Sequence, residues 1–278
     1  MLEILKAIIL GIIEGITEWL PVSSTGHMIL VDEFLKLDAG EGFKELFFVV
    51  IQLGAILAVP VLFFDKLCPF GKGKSDNDRK KIGSLWLKVL IGVVPAGVAG
   101  VLFDDWFDRN FYNYIVVSIA LIVYGVVFII IEKYRERKGI KEFSTIDVYD
   151  LTYKDAIKIG LFQILSLVPG TSRSGSTIIG GMLSGVSRAA SAEFSFFMAI
   201  PIMLGASLLK IVKFILAGLA MTALEIWILI VGVLVSFIVS LVSIKFLMDF
   251  VRRHDFSVFG IYRIILGAVV LIFFAITG

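Results

Sequence analysis

The sequence contains few of the residues that mark several protein classes. Cys68 is the only cysteine, which excludes an internal disulfide. Histidine occurs only twice, at His27 and His254. The formal net charge is just +2, and we expect no nucleic-acid partner. No small-residue cleavage site follows the first apolar run, so we expect that run to stay in the mature chain.

Hydrophobic residues, in contrast, make up 58% of the chain and include 24 phenylalanines. This composition predicts an all-α polytopic membrane protein, because a spanning helix needs roughly 20 apolar residues. Six segments qualify: 46–64, 86–103, 114–131, 193–213, 226–244 and 258–277. Two further runs, 4–20 and 156–168, are shorter or charged, and each ends at a proline followed by hydroxyl residues. We expect these two to be re-entrant helical segments.

The distribution of Lys and Arg predicts the orientation. Loops 65–85 and 132–155 each hold six Lys or Arg, and loop 245–257 holds three. Loop 104–113 holds only Arg109, and loop 214–225 holds none. Because positive loops stay in the cytoplasm, the first three loops are predicted inside and the last two outside.

The two halves of the chain resemble each other. "AIILGIIEGITEWLPVSSTG" (7–26) and "AIKIGLFQILSLVPGTSRSG" (156–175) share an Ala, a Gly, a Pro and a hydroxyl-rich end. We predict a single membrane domain with repeat units at about 1–131 and 156–278, joined by a cytoplasmic linker at about 132–155. Each unit has a half-membrane segment and three crossings, so the second unit is inverted. The two segment tips would then meet near the membrane midplane, as in many transporters.

Glu14 and Glu18 lie four residues apart, so they share one helix face. Carboxylates in an apolar segment are costly and indicate a functional site. The alternatives are that one is protonated or that it faces water at a shallow depth. A divalent cation, Mg²⁺ or Ca²⁺, would relieve their repulsion, because both ions take oxygen ligands. We therefore predict Glu14 and Glu18 as metal ligands.

The heptapeptide "PVSSTGH" (21–27) follows these glutamates. If a helix restarts after the proline, Ser24 and His27 share a face, as a nucleophile and its base would, although such spacing is common. Ser23 and Thr25 add hydroxyls at a helix N-terminus, which favours anions.

The second hydroxyl-rich stretch is "PGTSRSGST" (169–177), which contains Arg173. An arginine at membrane depth needs a partner, and its planar guanidinium matches a phosphate. Packing by small residues is the alternative explanation for the stretch, but it does not account for the arginine. The predicted phosphate-binding residues here are Gly170, Ser172, Ser174 and Thr177.

Both motifs resemble signatures of the bacterial undecaprenyl pyrophosphate phosphatase family, the bacitracin-resistance (BacA/UppP) proteins. "EGITEWLPVSSTGH" (14–27) resembles that family's glutamate-rich motif, and "PGTSRSGST" resembles its PGxSRSxxT motif. The segment "FFVVIQLGAIL" (47–57) and the repeat extend the resemblance along nearly the whole chain.

The resemblance implies hydrolysis of a C55 isoprenoid diphosphate to the monophosphate and inorganic phosphate, with a divalent metal, to recycle the cell-wall lipid carrier. It implies a bacterial inner-membrane protein whose site faces the periplasm and whose partners are the polyprenyl diphosphate and membrane lipids; a homodimer is left open. The catalytic set would be Ser24, His27, Glu18 and Arg173. Ser24 would attack or orient a water, and both routes stay open at this point.

Three other functions compete with this one. A lipid-phosphate transporter or flippase would use the same anion cavity without chemistry, whereas the Ser24–His27 pair favours chemistry. An anion channel or a structural membrane protein has no use for paired glutamates beside a nucleophile. A phosphatase of the class with two catalytic histidines is disfavoured, because His254 lies outside both motifs.

The orientation can be tested by thiol labelling in intact cells. With Cys68 replaced by serine, a cysteine at Asn77 or Lys138 is expected to resist a membrane-impermeant reagent, and one at Asn110 to react. Labelling of positions 110 and 138 from the same side would show that segment 114–131 does not cross, and the units would not be inverted.

Overall fold

The computed structural model describes residues 1–71, 73–139 and 147–277, which form eleven α-helices and no strand. The helices are α1 Leu2–Thr17, α2 Ser24–Phe34, α3 Glu41–Leu62, α4 Phe64–Leu67, α5 Asp76–Phe111, α6 Tyr114–Arg137, α7 Tyr153–Ile164, α8 Arg173–Leu183, α9 Arg188–Leu216, α10 Ala223–Val251 and α11 Ser257–Thr277. Single 3₁₀ turns occur at Val148–Asp150 and Leu165–Leu167.

Six of these helices are long and apolar enough to cross a membrane, which confirms the predicted all-helical class. They are α3, α5, α6, α9, α10 and α11. Several extend beyond the predicted apolar segments: residues 76–85, expected in a loop, form the first turns of α5. The Lys, Arg and Asp residues of this stretch lie at a helix end, where water and headgroups can solvate them. Lys and Arg are also good helix formers. Lys72 and Lys141, counted above as loop charges, lie outside the described residues.

The two short runs form helix pairs interrupted at equivalent positions. α1 and α2 are separated by a break that contains Pro21, and α7 and α8 by one that contains Pro169. Within the described residues, Ser23 and Ser172 are the only non-glycine residues with positive φ, at 73° and 71°. Each accepts a hydrogen bond from the backbone N–H three residues on, at 3.3 Å and 3.1 Å, and so caps the next helix.

Helices from one half of the chain pack against helices from the other half. α1 packs on α10, and α7 packs on α5, the corresponding helix of the first half. Gly11 permits the first contact, because a Cβ there would lie 2.8 Å from the Gly232 carbonyl oxygen; Gly160 permits the second, at 2.2 Å from the Gly92 oxygen. α3 also contacts α9, and α6 contacts α11, so each of these helices meets its own counterpart. The repeat boundaries, the inverted orientation and the re-entrant position of the short helices stay predictions.

The main hydrophobic core lies beside the two breaks and holds them in place. Trp19, fully buried just before the first break, packs edge-on against Phe196 of α9, with ring centroids 5.2 Å apart. Phe194 and Phe197 are likewise buried on α9. Since a close-packed interior transmits strain rather than yielding, this core fixes where the polar residues of the breaks lie.

Candidate active site

The two motifs meet through an ion pair between Glu18 and Arg173. The Arg173 Nη2 and Nε atoms donate to Glu18 Oε1 at 3.0 Å and 3.2 Å. Both side chains are mostly shielded from solvent, at 8% and 12% exposure. A charge-assisted pair in such surroundings is strong, and removal of either partner leaves the other charge uncompensated. Residues 155 positions apart in sequence are therefore joined at the site.

The second oxygen of the same carboxylate faces the predicted nucleophile. Ser24, the first residue of α2, donates its hydroxyl to Glu18 Oε2 at 3.3 Å. Glu18 therefore orients both Ser24 and Arg173, with a different oxygen for each. A carboxylate that accepts the serine proton can act as its base.

Glu14 lies one turn before Glu18 on α1 and is only 1% exposed. Its Oε1 atom is buried and has no hydrogen-bond partner among the described residues. An unsatisfied buried carboxylate oxygen is costly and calls for a partner from outside the chain.

The pair Glu14 and Glu18 fits a cation that needs few protein ligands. The described residues contain no cluster of three or more His, Cys, Asp or Glu that could hold a metal. Mg²⁺ is commonly bound through one or two carboxylates plus water and substrate phosphates, whereas Ca²⁺ takes six to eight oxygens. The donor set therefore suits Mg²⁺ better than Ca²⁺.

His27 is held by groups other than Ser24. Its Nδ1 lies 2.7 Å from the Ser23 carbonyl oxygen, and its Nε2 lies 2.6 Å from the Tyr262 hydroxyl. The two rings are also stacked, at an interplanar angle of 10°. A carbonyl oxygen only accepts, so Nδ1 carries the proton and the neutral ring accepts from Tyr262 through Nε2. The predicted pairing of Ser24 with His27 is thus not a hydrogen bond in this structure.

The hydroxyls of the second motif mostly bind protein groups. Ser174 donates to the Glu18 carbonyl oxygen at 3.1 Å, and Thr177 lies 2.7 Å from the Ser195 hydroxyl. Both side chains are buried, and Ser172 caps α8. Gly170, with φ of 90°, packs against the Val117 carbonyl. The phosphate-binding roles of these four residues stay predictions, and in the structure Ser174 and Thr177 support the loop that carries Arg173.

Arg263 of α11 is a central residue that lies outside both motifs. It is fully buried and donates to the carbonyl oxygens of Pro21, Gly170 and Thr171 at 3.2 Å, 2.8 Å and 3.0 Å. One guanidinium therefore ties both breaks together. A charge inside an apolar span was the available signal, since such residues are costly in membranes. Tyr262 and Ser195 had no comparable signal, because aromatics and serines are common in membrane helices.

A cavity of about 460 Å³ lies against the first motif. Glu14, Ser24 and Thr25 of the first motif line it, while Ser23 is buried and does not. The remaining lining residues are Met28, Ile29, Phe48, Val49, Gln52, Tyr112, Asn113, Tyr114 and Phe274. Three of these, 112–114, join α5 to α6, so the cavity lies toward the side on which loop 104–113 is predicted. Its size suits a small ligand or headgroup.

Comparison with known proteins identifies the family. The family model described as "Bacitracin resistance protein BacA" matches residues 7–269. The chain belongs to the BacA family. It is 59% identical to "Undecaprenyl-diphosphatase 1" of Clostridioides difficile (strain 630), over 99% of this chain and 97% of that protein. It is 56% identical to "Undecaprenyl-diphosphatase" of Enterococcus faecalis (strain ATCC 700802 / V583), over 96% and 95%. The resemblance predicted from the motifs is confirmed, and this BacA family member is a multi-pass membrane protein.

Arg263 gives a testable prediction for stability. Arg263→Lys replaces a planar group that has several donors with a single ammonium, which leaves buried carbonyls unsatisfied at roughly 1–3 kcal/mol each. We expect Tm of the purified protein in detergent to fall by at least about 3 °C. The matched control is Arg252→Lys, on an exposed residue, with Tm unchanged. Equal Tm for Arg263→Lys and the native protein would show that Arg263 does not hold the breaks.

Proposed function

We propose that the protein hydrolyses undecaprenyl diphosphate to undecaprenyl phosphate and inorganic phosphate. The observation that carries this proposal is the Glu18 carboxylate, which contacts Ser24 on one oxygen and Arg173 on the other. A candidate nucleophile, a carboxylate that can act as its base and an arginine that can bind phosphate are therefore joined, and Ser24 lines the cavity. The names of the relatives agree with this activity, and they do not favour a transporter that performs no chemistry.

The cavity supports a defined placement of the substrate. The hydroxyls of Ser24 and Thr25 suit the diphosphate, and Glu14 beside them suits its counter-ion. The apolar lining, which includes Met28 and Phe274, suits the first isoprenoid units. The N-terminus of α2, which begins at Ser24, adds backbone N–H groups without intrahelical partners and the positive end of the helix dipole, which favour an anion. The rest of the tail would stay in the lipid.

Chemistry then requires an attack on the terminal phosphorus. The Ser24 oxygen, or a water that Ser24 orients, forms the new P–O bond as the bond to the bridging oxygen breaks. The contact at 3.3 Å supports Glu18 rather than His27 as the group that takes the proton. The leaving group is undecaprenyl phosphate; in the serine route, water then cleaves the phosphoserine to release inorganic phosphate. Arg173 stabilises the charge on the equatorial oxygens.

His27 receives a different role from the one that its spacing predicted. Its Nδ1–H holds the Ser23 carbonyl, and Ser23 is the strained cap from which α2 starts. His27 and Tyr262 therefore position the first turn of α2, and with it Ser24.

The residues that would hold a divalent cation are Glu14 and Glu18. Glu14 Oε1 has no hydrogen-bond partner among the described residues, and Glu18, one turn away, contacts Ser24 through Oε2. When bound, such an ion neutralises phosphate charge and acts as a Lewis acid. We infer a site that faces the periplasm of a bacterial inner membrane, because the cavity lies on the predicted outer side. The homodimer stays a prediction.

The activity can be measured as phosphate release from undecaprenyl diphosphate by the purified protein in detergent. We expect turnover with Mg²⁺, its loss with chelator, and near-complete loss in Ser24→Ala with binding retained, because only a transition-state contact is removed. Ser84→Ala is the matched control, on a serine in the first turns of α5 that lines neither break nor cavity. Transport without phosphate release would refute the proposal. Near-native turnover of Ser24→Ala would show that water, and not the Ser24 oxygen, attacks the phosphorus.

Arg173 gives a second prediction for the same assay. Arg173→Ala is expected to lower kcat about 10²- to 10³-fold, as removal of one transition-state donor does. Arg173→Lys is expected to restore little of the lost kcat. An ammonium lacks the planar set of donors with which a guanidinium can bind Glu18 and phosphate at the same time. The exposed Arg252→Ala serves as control. Full activity of the lysine variant would mean that charge alone suffices at this position.

A further inference from the structure

A second, smaller cavity of about 210 Å³ lies at the start of α3, about one helical turn before the α3 residues that line the first cavity. It is bounded by the first turns of α3 and the last turns of α9. Its charged lining residues are Lys210, Lys213 and Glu45, and its apolar lining includes Leu46 and Phe214.

The cavity carries a net positive charge. The two lysines lie one turn apart on α9, and one acidic residue faces them. Lys210 contacts Glu45 at 3.4 Å, while Glu45 is 68% exposed, so water screens this pair. Lys213 lines the same cavity, with no carboxylate within ion-pair distance among the described residues. One cation is therefore left for an incoming anion.

The cavity also lies at the level of lipid headgroups. α9 has 29 residues and is thus about 43 Å long, close to the roughly 40–45 Å of a bilayer with its headgroups. Lys213 is three residues from the end of that helix, and its neighbours Val212, Ile215 and Leu216 are exposed at 42%, 65% and 80%. An apolar exposed surface beside two lysines is the environment of a lipid whose chains lie on the helix.

We propose that this cavity binds the anionic phosphate headgroup of a membrane phospholipid through Lys210 and Lys213, with the acyl chains against the exposed face of α9. The volume is below the roughly 300–1,000 Å³ of drug-sized pockets, so it accommodates a headgroup and not a whole lipid. No residue lines both cavities, and the proposal does not depend on the proposed catalytic chemistry.

The test measures Tm of the detergent-purified protein during titration with three probes: short-chain phosphatidylglycerol, phosphatidylcholine of equal chain length, and inorganic phosphate. The variants are Lys210→Gln/Lys213→Gln, Lys210→Arg/Lys213→Arg and Lys80→Gln/Lys81→Gln. The last is a matched control that removes the same charge from exposed positions at the start of α5.

We expect phosphatidylglycerol to raise Tm of the native protein by about 2–4 °C. The rise should disappear in Lys210→Gln/Lys213→Gln and persist in the arginine and control variants. If inorganic phosphate gives the same lysine-dependent rise and the lipid adds nothing, the site takes a free phosphate and the lipid assignment is overturned. An equal rise with phosphatidylcholine, or a rise that survives in Lys210→Gln/Lys213→Gln, also overturns it.

Discussion

The buried pair of Glu18 and Arg173 is the contact on which the site depends. It joins the end of α1 to the start of α8, which lie in different halves of the chain. Each charge needs the other, because an isolated ion in an apolar interior is far more costly than a paired one. The pair therefore forces the two breaks together, and Ser24 and the cavity take their positions from that approach.

The backbone is strained at both breaks, and buried side chains stabilise it there. Ser23 and Ser172 adopt left-handed backbone conformations that cost roughly 1–2 kcal/mol each for a residue with a Cβ. Arg263 compensates by binding carbonyls from both breaks, and the packed aromatic core around Trp19 excludes alternatives. Each strained serine is followed directly by a new helix, so Ser24 and Arg173 are the first residues of α2 and α8.

Much of this architecture could be predicted, because membranes impose strong rules on sequence. Long apolar segments identified the six candidate spans, and Pro followed by hydroxyl residues identified both breaks. The residues of the two motifs proved to be neighbours. The partners of His27 could not be predicted, since Ser23 contributes a backbone carbonyl and Tyr262 is 235 residues away. Spacing alone suggested a Ser24–His27 pair, but His27 Nδ1 contacts the Ser23 carbonyl oxygen instead.

The balance of charges near the two breaks favours a bound cation when the substrate is present. Glu14 and Glu18 carry two negative charges when both are ionised, and Arg173 and Arg263 carry two positive ones, so the site is close to neutral. Arg173 is already engaged by Glu18, and Arg263 by three carbonyls. A diphosphate would add several negative charges that no remaining side chain of the cavity wall neutralises. Glu14 lines this cavity, and its Oε1 atom has no hydrogen-bond partner among the described residues, so a divalent ion held there would balance substrate and carboxylates together. Glu14→Gln should therefore weaken the dependence of phosphate release on Mg²⁺ while Glu41→Gln, on an exposed glutamate, leaves the titration unchanged; identical titrations for both would remove Glu14 from the ligand set.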